Sequence, residues 1–183
     1  MRVIAGSARS LPLKTPSGLE VRPTTDRIKE TLFNMIAADI PGADFLDLYA
    51  GSGQIGIEAL SRGARSAVFC DNSHRAVSII GKNLAKTGLN DKSTVFAFDA
   101  TVALEKMSGR GMTFDIIFMD PPYALMDERR DLEAIKRLHL LKENGLIIIE
   151  ASIERDFGFA EELGYTLGRS KQYKTNQHVF IRE

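Results

Sequence analysis

Asp120-Pro121-Pro122-Tyr123 is the tetrapeptide in this chain with the most chemical content. Two consecutive prolines cannot extend a strand ladder, and they fix the backbone around them. The Asp120 carboxylate and the Pro121 carbonyl then stand as two acceptors in a set relation, enough to hold both hydrogens of a planar base amine. Accepting both raises electron density on nitrogen and favours its pyramidal form, whose lone pair can attack a methyl group in line. Tyr123 offers a flat face to a base turned out of its stack. The same four residues could form only a rigid strand-end turn with a core tyrosine. Their place at the end of a strand, opposite a glycine loop, favours the chemical reading.

That loop is Gly51-Ser52-Gly53-Gln54-Ile55-Gly56, preceded by the apolar run Phe45–Ala50 and followed by a helix. A G-x-G-x-x-G in this context holds a nucleotide, and Asp71, 20 residues after Gly51, is placed to accept from ribose hydroxyls. The pattern alone fits NAD. Asp47, inside the preceding strand, does not, because a carboxylate there would repel a pyrophosphate and offset the helix N-terminus. S-adenosylmethionine has no phosphate and carries a sulfonium and an ammonium, which an acid suits. Asp47 could equally cap nearby backbone N–H groups. Asp99, after the third strand, is placed either to accept from an adenine amine or to cap the next helix.

These residues need elements to position them. Residues 2–22 read as a hairpin or irregular arm broken by Gly6, Pro12, Pro16 and Gly18. A helix starts at Thr24 or Thr25 and runs until Pro41-Gly42. Beyond it, strands are expected at Ala43–Tyr49, Ser66–Cys70, Thr94–Phe98, Phe114–Met119 and Leu146–Glu150. Helices are expected at Gly53–Arg62, Ser73–Thr87, 100–108, 127–141 and 154–163. Tyr165–Gly168 and Val179–Arg182, separated by polar Lys171–Gln177, form a closing antiparallel hairpin. The alternation predicts a mostly parallel sheet covered on both faces, an α/β fold. One domain of 183 residues is expected, with 1–42 as arm and helix and 43–183 as the Rossmann-like core.

Composition narrows the classes. The chain has 24 Lys+Arg, 24 Asp+Glu and a single Cys. One cysteine excludes a disulfide framework and a thiolate zinc site, and the three histidines lack metal spacing, so no metal is expected. Apolar runs are too short to span a bilayer, and a reducing, cytoplasmic setting is the expectation. Zero net charge argues against coating nucleic acid by bulk charge. The basic residues concentrate at the ends, Arg2, Arg9 and Lys14 on one side and Arg169, Lys171 and Lys174 on the other, as candidate phosphate contacts. Cys70 and the Phe96–Phe98 face read as core.

Asp120-Pro121-Pro122-Tyr123 resembles the D/N-P-P-Y/F motif of S-adenosylmethionine-dependent amine methyltransferases. The wider chain resembles the RsmD family, bacterial 16S rRNA guanine-N2 methyltransferases. The resemblance runs through Arg2–Gly6, Arg22-Pro23-Thr24-Thr25 and on to Asn34, Asp47–Gly53 and Gly56–Ala64. It implies a three-layer class I methyltransferase fold with a seven-stranded sheet and the cofactor across the strand C-termini. It puts Gly51 and Gly53 against the methionine part, Asp71 on ribose and Asp99 near adenine. Arg22 and Thr24 would close over the methionine end or the entering base, and Asp120, Pro121 and Tyr123 would hold guanine N2. The arm Gly6–Leu11 is less basic than the family's, and Gln54 stands where the family usually has Leu.

Three rivals remain at this level. An NAD-linked oxidoreductase gives the Asp-Pro-Pro-Tyr motif no role. A DNA adenine-N6 methyltransferase shares the chemistry, but the length leaves little room for a domain that reads DNA sequence. A non-catalytic RNA-binding module has no use for Asp120. The implied partner is 16S rRNA within an assembled or assembling 30S subunit.

Overall fold

A computed structural model describes residues 1–15, 25–122 and 128–183. Seven strands form one sheet: β1 (Asp44–Leu48), β2 (Ser66–Cys70), β3 (Ser93–Phe96), β4 (Phe114–Met119), β5 (Leu141–Ser152), β6 (Thr166–Gln172) and β7 (Asn176–Arg182). Their order is β3-β2-β1-β4-β5-β7-β6. The first five are parallel, and β7 lies antiparallel between β5 and β6. Strand order reverses between β1 and β4, and ligands bind at the carboxyl ends of strands at such a point.

Among the described residues six α-helices complete the layers: α1 (Asp26–Met35), α2 (Gln54–Ser61), α3 (His74–Thr87), α4 (Ala100–Ser108), α5 (Glu128–Arg137) and α6 (Phe159–Glu162). Alternate residues of each strand face opposite sides, so both faces must be apolar. Phe45, Phe69, Ile116, Phe118 and Ile148 pack under α1, α2 and α3. Leu46, Leu48, Ile117, Met119, Ile147 and Ile149 pack under α4 and α5. Local signals fix several boundaries. Thr25 caps α1 through Ile28 N, and Ser73 caps α3 through Ala76 N. Gly88 ends α3 in the left-handed region.

Some boundaries differ from the sequence expectation. Helix α1 stops at Met35, and a turn over 36–39 swings Ile40 into the core beside Ile36. Helix α5 stops at Arg137, because His139 takes φ 51° and Leu140 N–H bonds back to the Ile135 carbonyl. Strand β5 begins five residues early, with Asn144 at φ 61° in the irregular register against β4. The helix expected at 154–163 shrinks to Phe159–Glu162. The hairpin strands are longer than expected. Lys171 and Gln172 are strand because β6 is the exposed edge and needs no apolar face, while Asn176 and Gln177 enter β7 buried, their amides bonded to Glu150 and the Ser152 carbonyl. Among the described residues of the arm, Arg2 and Pro12 form an antiparallel bridge. Phe98 is exposed beyond the end of β3, with the Lys106 ammonium 4.7 Å from its ring, while Phe96 is core as expected.

Candidate active site

The loop between β1 and α2 turns sharply, with Gly51 at φ 56° and Gly53 at φ 75°. Those values are costly for any residue with a Cβ. Gly56 serves a different need: a Cβ there would lie 2.3 Å from the Phe69 ring, so its absence lets α2 settle on β2. The Gly51 N–H donates to Asp71 Oδ2 at 2.8 Å, and the Ser73 N–H donates to Asp71 Oδ1 at 2.9 Å. Asp71 therefore ties β2 to the loop, and each oxygen keeps a lone pair for a ribose hydroxyl.

Asp47 is buried and accepts from the Gly56 N–H at 2.9 Å, so the capping role weighed for it is present. Burial pushes its carboxyl up to about 7, against the pull of that N–H and with a further push from Asp71. A proton-hungry acid beside the loop gains from a cationic ligand and loses from an anionic one. Asp99 occupies the N-cap position of α4, but its side chain makes no cap hydrogen bond, and it is exposed next to Phe98. The other acid reading, a capping side chain, is absent there. These donors and acceptors fit S-adenosylmethionine: acids suit its positive groups, Asp71 could accept from ribose hydroxyls, and the exposed Asp99 could accept from an adenine amine. Pyrophosphate has no such match.

Asp120 follows β4 directly at the same edge, half-buried, with Pro121 buried behind it. Its carboxylate accepts no hydrogen bond among the described residues. Burial holds it well above the usual carboxylate range, with Glu150 and then Asp47 adding repulsion. Cys70, at the end of β2, feels Asp71, Asp99, Asp47 and Asp131 and is pushed up to about 12, chiefly by burial. The carboxyl edge is thus lined with acids. Tyr49, at φ 72°, places its hydroxyl 2.5 Å from Asp131 Oδ2 and ties the loop to α5. Arg22, Thr24 and Tyr123 lie outside the described residues.

The sequence reading missed two features, the first of them the fastening of the arm by Glu58 and Asn83. Glu58 of α2, fully buried, binds the N–H groups of Ile4 and Ala5 and the side chains of Arg62 and Lys29. Asn83 of α3 bonds both ways to Lys14 and donates to the Ser52 carbonyl, so the arm is fastened to the glycine loop. The second is Glu150, paired with the buried His178. An acid directly after Leu146–Ile149, at a strand's carboxyl end, was the available signal.

The expected phosphate contacts divide by position. Lys14 sits beside the loop, and Lys171 and Lys174 flank the β6–β7 turn at the carboxyl edge. Arg9 lies by Ser61 at the far end of α2, since Ser7 and Ala8 bond there. Arg169 donates to the Met35 carbonyl and covers the Phe180 ring, and Arg2 pairs with Asp26. A groove lined by Asp39, Leu146, Thr166, Phe180 and Arg182 lies at the opposite, amino edge of the sheet. Among the described residues no three His, Cys, Asp or Glu side chains group as metal ligands.

Comparison with known proteins finds a family model described as Conserved hypothetical protein 95, matching residues 1–182. YlbH of Bacillus subtilis (strain 168) is 40% identical over 164 residues, which cover 90% of this chain and 88% of that one. Ribosomal RNA small subunit methyltransferase D of Escherichia coli (strain K12) is 37% identical over 153 residues, 84% of this chain and 72% of its own. The solved structure of yhhF from Escherichia coli superposes with a TM-score of 0.85 at 30% identity, covering 100% and 97% of the two chains.

Proposed function

The chain belongs to the RsmD family, and from that premise we propose that it uses S-adenosylmethionine to methylate the exocyclic N2 amine of a guanine in 16S rRNA. The observation that carries this reading is Asp120. It is a desolvated carboxylate with no hydrogen bond of its own among the described residues, fixed by Pro121 one strand away from the glycine loop. S-adenosylmethionine, when bound, supplies an electrophilic methyl group on sulfonium. Asp71 and Asp99 would hold the adenosine, with Gly51 and Gly53 giving backbone room for the methionine part. Arg22 and Thr24 belong to the closing segment of this reading.

Asp120 and the Pro121 carbonyl accept the two amine hydrogens and aim the nitrogen lone pair. As nitrogen gains a carbon it must shed a proton, and a carboxylate with raised proton affinity is a suitable acceptor. Tyr123 would stack on the flipped base. The substrate is an assembled or assembling 30S particle in the bacterial cytoplasm, with Lys14, Lys171 and Lys174 touching phosphate.

The test supplies 30S subunits lacking the modification with tritium-labelled cofactor, then digests the RNA and identifies the methylated nucleoside. N2-methylguanosine is expected. Asp120→Ala should abolish transfer while calorimetric affinity for S-adenosylmethionine stays nearly unchanged. A methylated adenine, or wild-type turnover by Asp120→Ala, would overturn the reading.

A further inference from the structure

Met119 of β4 lies opposite Ile149 of β5 in parallel register, so the next pair at the carboxyl edge is Asp120 and Glu150. Glu150 is buried, and both its oxygens are engaged. Asn176 Nδ2 donates to Oε1 at 2.7 Å, and His178 Nε2 lies 3.1 Å from Oε2. His178 is itself fully buried, directly across from Glu150 on β7. Its Nδ1 lies 3.3 Å from the Tyr173 hydroxyl in the half-buried β6–β7 turn. With the proton on Nε2, His178 donates to Glu150 and accepts from Tyr173.

Well-packed apolar residues in place of a buried ionic group are often neutral or stabilising for a fold, so stability alone does not call for this cluster. Instead, side chains from β7 and its turn hold one carboxylate in place. Beside that carboxylate stands Asp120, whose own oxygens accept nothing among the described residues. Among the described residues, the titratable groups facing Asp120 are Glu150 from β5 and Asp47 from β1, with His178 and Tyr173 behind Glu150.

We infer that Glu150, braced by Asn176 and His178, is a positioning residue that holds negative charge against Asp120 and so sets the pH range in which Asp120 accepts from an amine. Its catalytic consequence rests on the function proposed above; its electrostatic content does not. Like charge nearby disfavours ionisation of Asp120, in line with the upward push that burial and then Glu150 give it. The same arrangement makes Asp120 a stronger acceptor for the departing proton than an exposed aspartate.

Glu150→Gln tests this, since an amide oxygen can still accept from Asn176. The first measurement needs no catalysis. The Asp120 carboxyl carbon is followed by 13C NMR against pH in the protein without ligand, assigned by its loss in Asp120→Asn. Glu150→Gln should move the Asp120 midpoint down by about one pH unit. The second is the pH profile of methyl transfer to 30S particles, whose acid limb should move the same way. His178→Gln, which restores a donor facing Glu150, should keep the wild-type limb, while His178→Ala should not. An unmoved Asp120 midpoint in Glu150→Gln overturns the inference. A moved midpoint with no methyl transfer by the wild-type protein would instead overturn the proposed function.

Discussion

Asp47 gives a residue-scale prediction whose sign follows from its burial. An unfolded aspartate releases its proton near pH 4, but in the fold this one holds it to about 7. Between those values the native state binds more protons than the unfolded chain, so stability falls as pH rises through that window and levels off above it. The three-unit gap corresponds to a loss on the order of 4 kcal/mol at most. Asp47→Asn keeps an acceptor for the Gly56 N–H and removes the titration. Calorimetry should find it with a higher Tm than wild type at pH 8 and a flatter pH dependence; equal pH sensitivity would contradict this. Gly56→Ala places a methyl against Phe69 and should cost about 1–3 kcal/mol in urea unfolding, the usual cost of overpacking. For Tyr123, loss of stacking in Tyr123→Ala should weaken engagement of the base by about 1–3 kcal/mol. Tyr123→Phe should cost much less in particle-binding measurements, because stacking needs the ring and not the hydroxyl.

At the scale of elements, Glu58 is the point where the arm, α1 and α2 meet. It receives two arm N–H groups and two cations, and Lys29 also donates to the Arg2 carbonyl at 2.5 Å. Glu58→Gln leaves a buried ammonium without its counter-charge and should cost about 3–5 kcal/mol in denaturant titration. Replacing Lys29 by Met in the same chain should recover part of that loss. None of this was legible in the sequence. Lys29 sits in a helix with an ordinary charge pattern, Glu58 is the one charged residue of the apolar α2, and the arm that both bind, 27 residues from Lys29 and 53–54 from Glu58, gives no local sign of docking there. What was legible obeys local rules. The alternation of apolar strands with helices gave the layers, Ser73 and Gly88 marked the ends of α3, and the glycines marked the loop. The misplacements fall where tertiary context overrides pattern. Phe98 alternates like a core residue but stands past the end of its strand; polar Lys171 and Gln172 form strand because they lie at an edge, and polar Asn176 and Gln177 because buried partners satisfy their amides. The place of Asp120 at the end of β4 was readable because the strand and its proline stop are local signals; that Glu150 stands beside it needed the register of two strands and an antiparallel third.

For the whole molecule, net charge is zero and the carboxyl edge is lined with acids. RNA held by phosphate contacts alone would be held weakly at cellular salt. Initial rates on 30S particles should therefore far exceed those on deproteinised 16S RNA, and equal rates would contradict the idea. Position refines which cations matter. Replacing Lys171 and Lys174 together by Ala should reduce the salt slope of particle binding by about two, one for each phosphate contact. Arg9→Ala should leave it unchanged, since Arg9 is at the other end of α2. The fastening of the arm also has a consequence in time. Ribosomes make a chain from its amino end, yet the arm's partners are Glu58, Ser61 and Asn83. The arm emerges before these partners and must wait, undocked, until α3 has followed it out. Because closing so long a loop costs chain entropy before any contact repays it, the arm should seat after the β1-α2-β2-α3 unit has formed. The glycine loop then receives its clasp through Asn83 only when that unit is complete, and the order of synthesis becomes an order of assembly for the site.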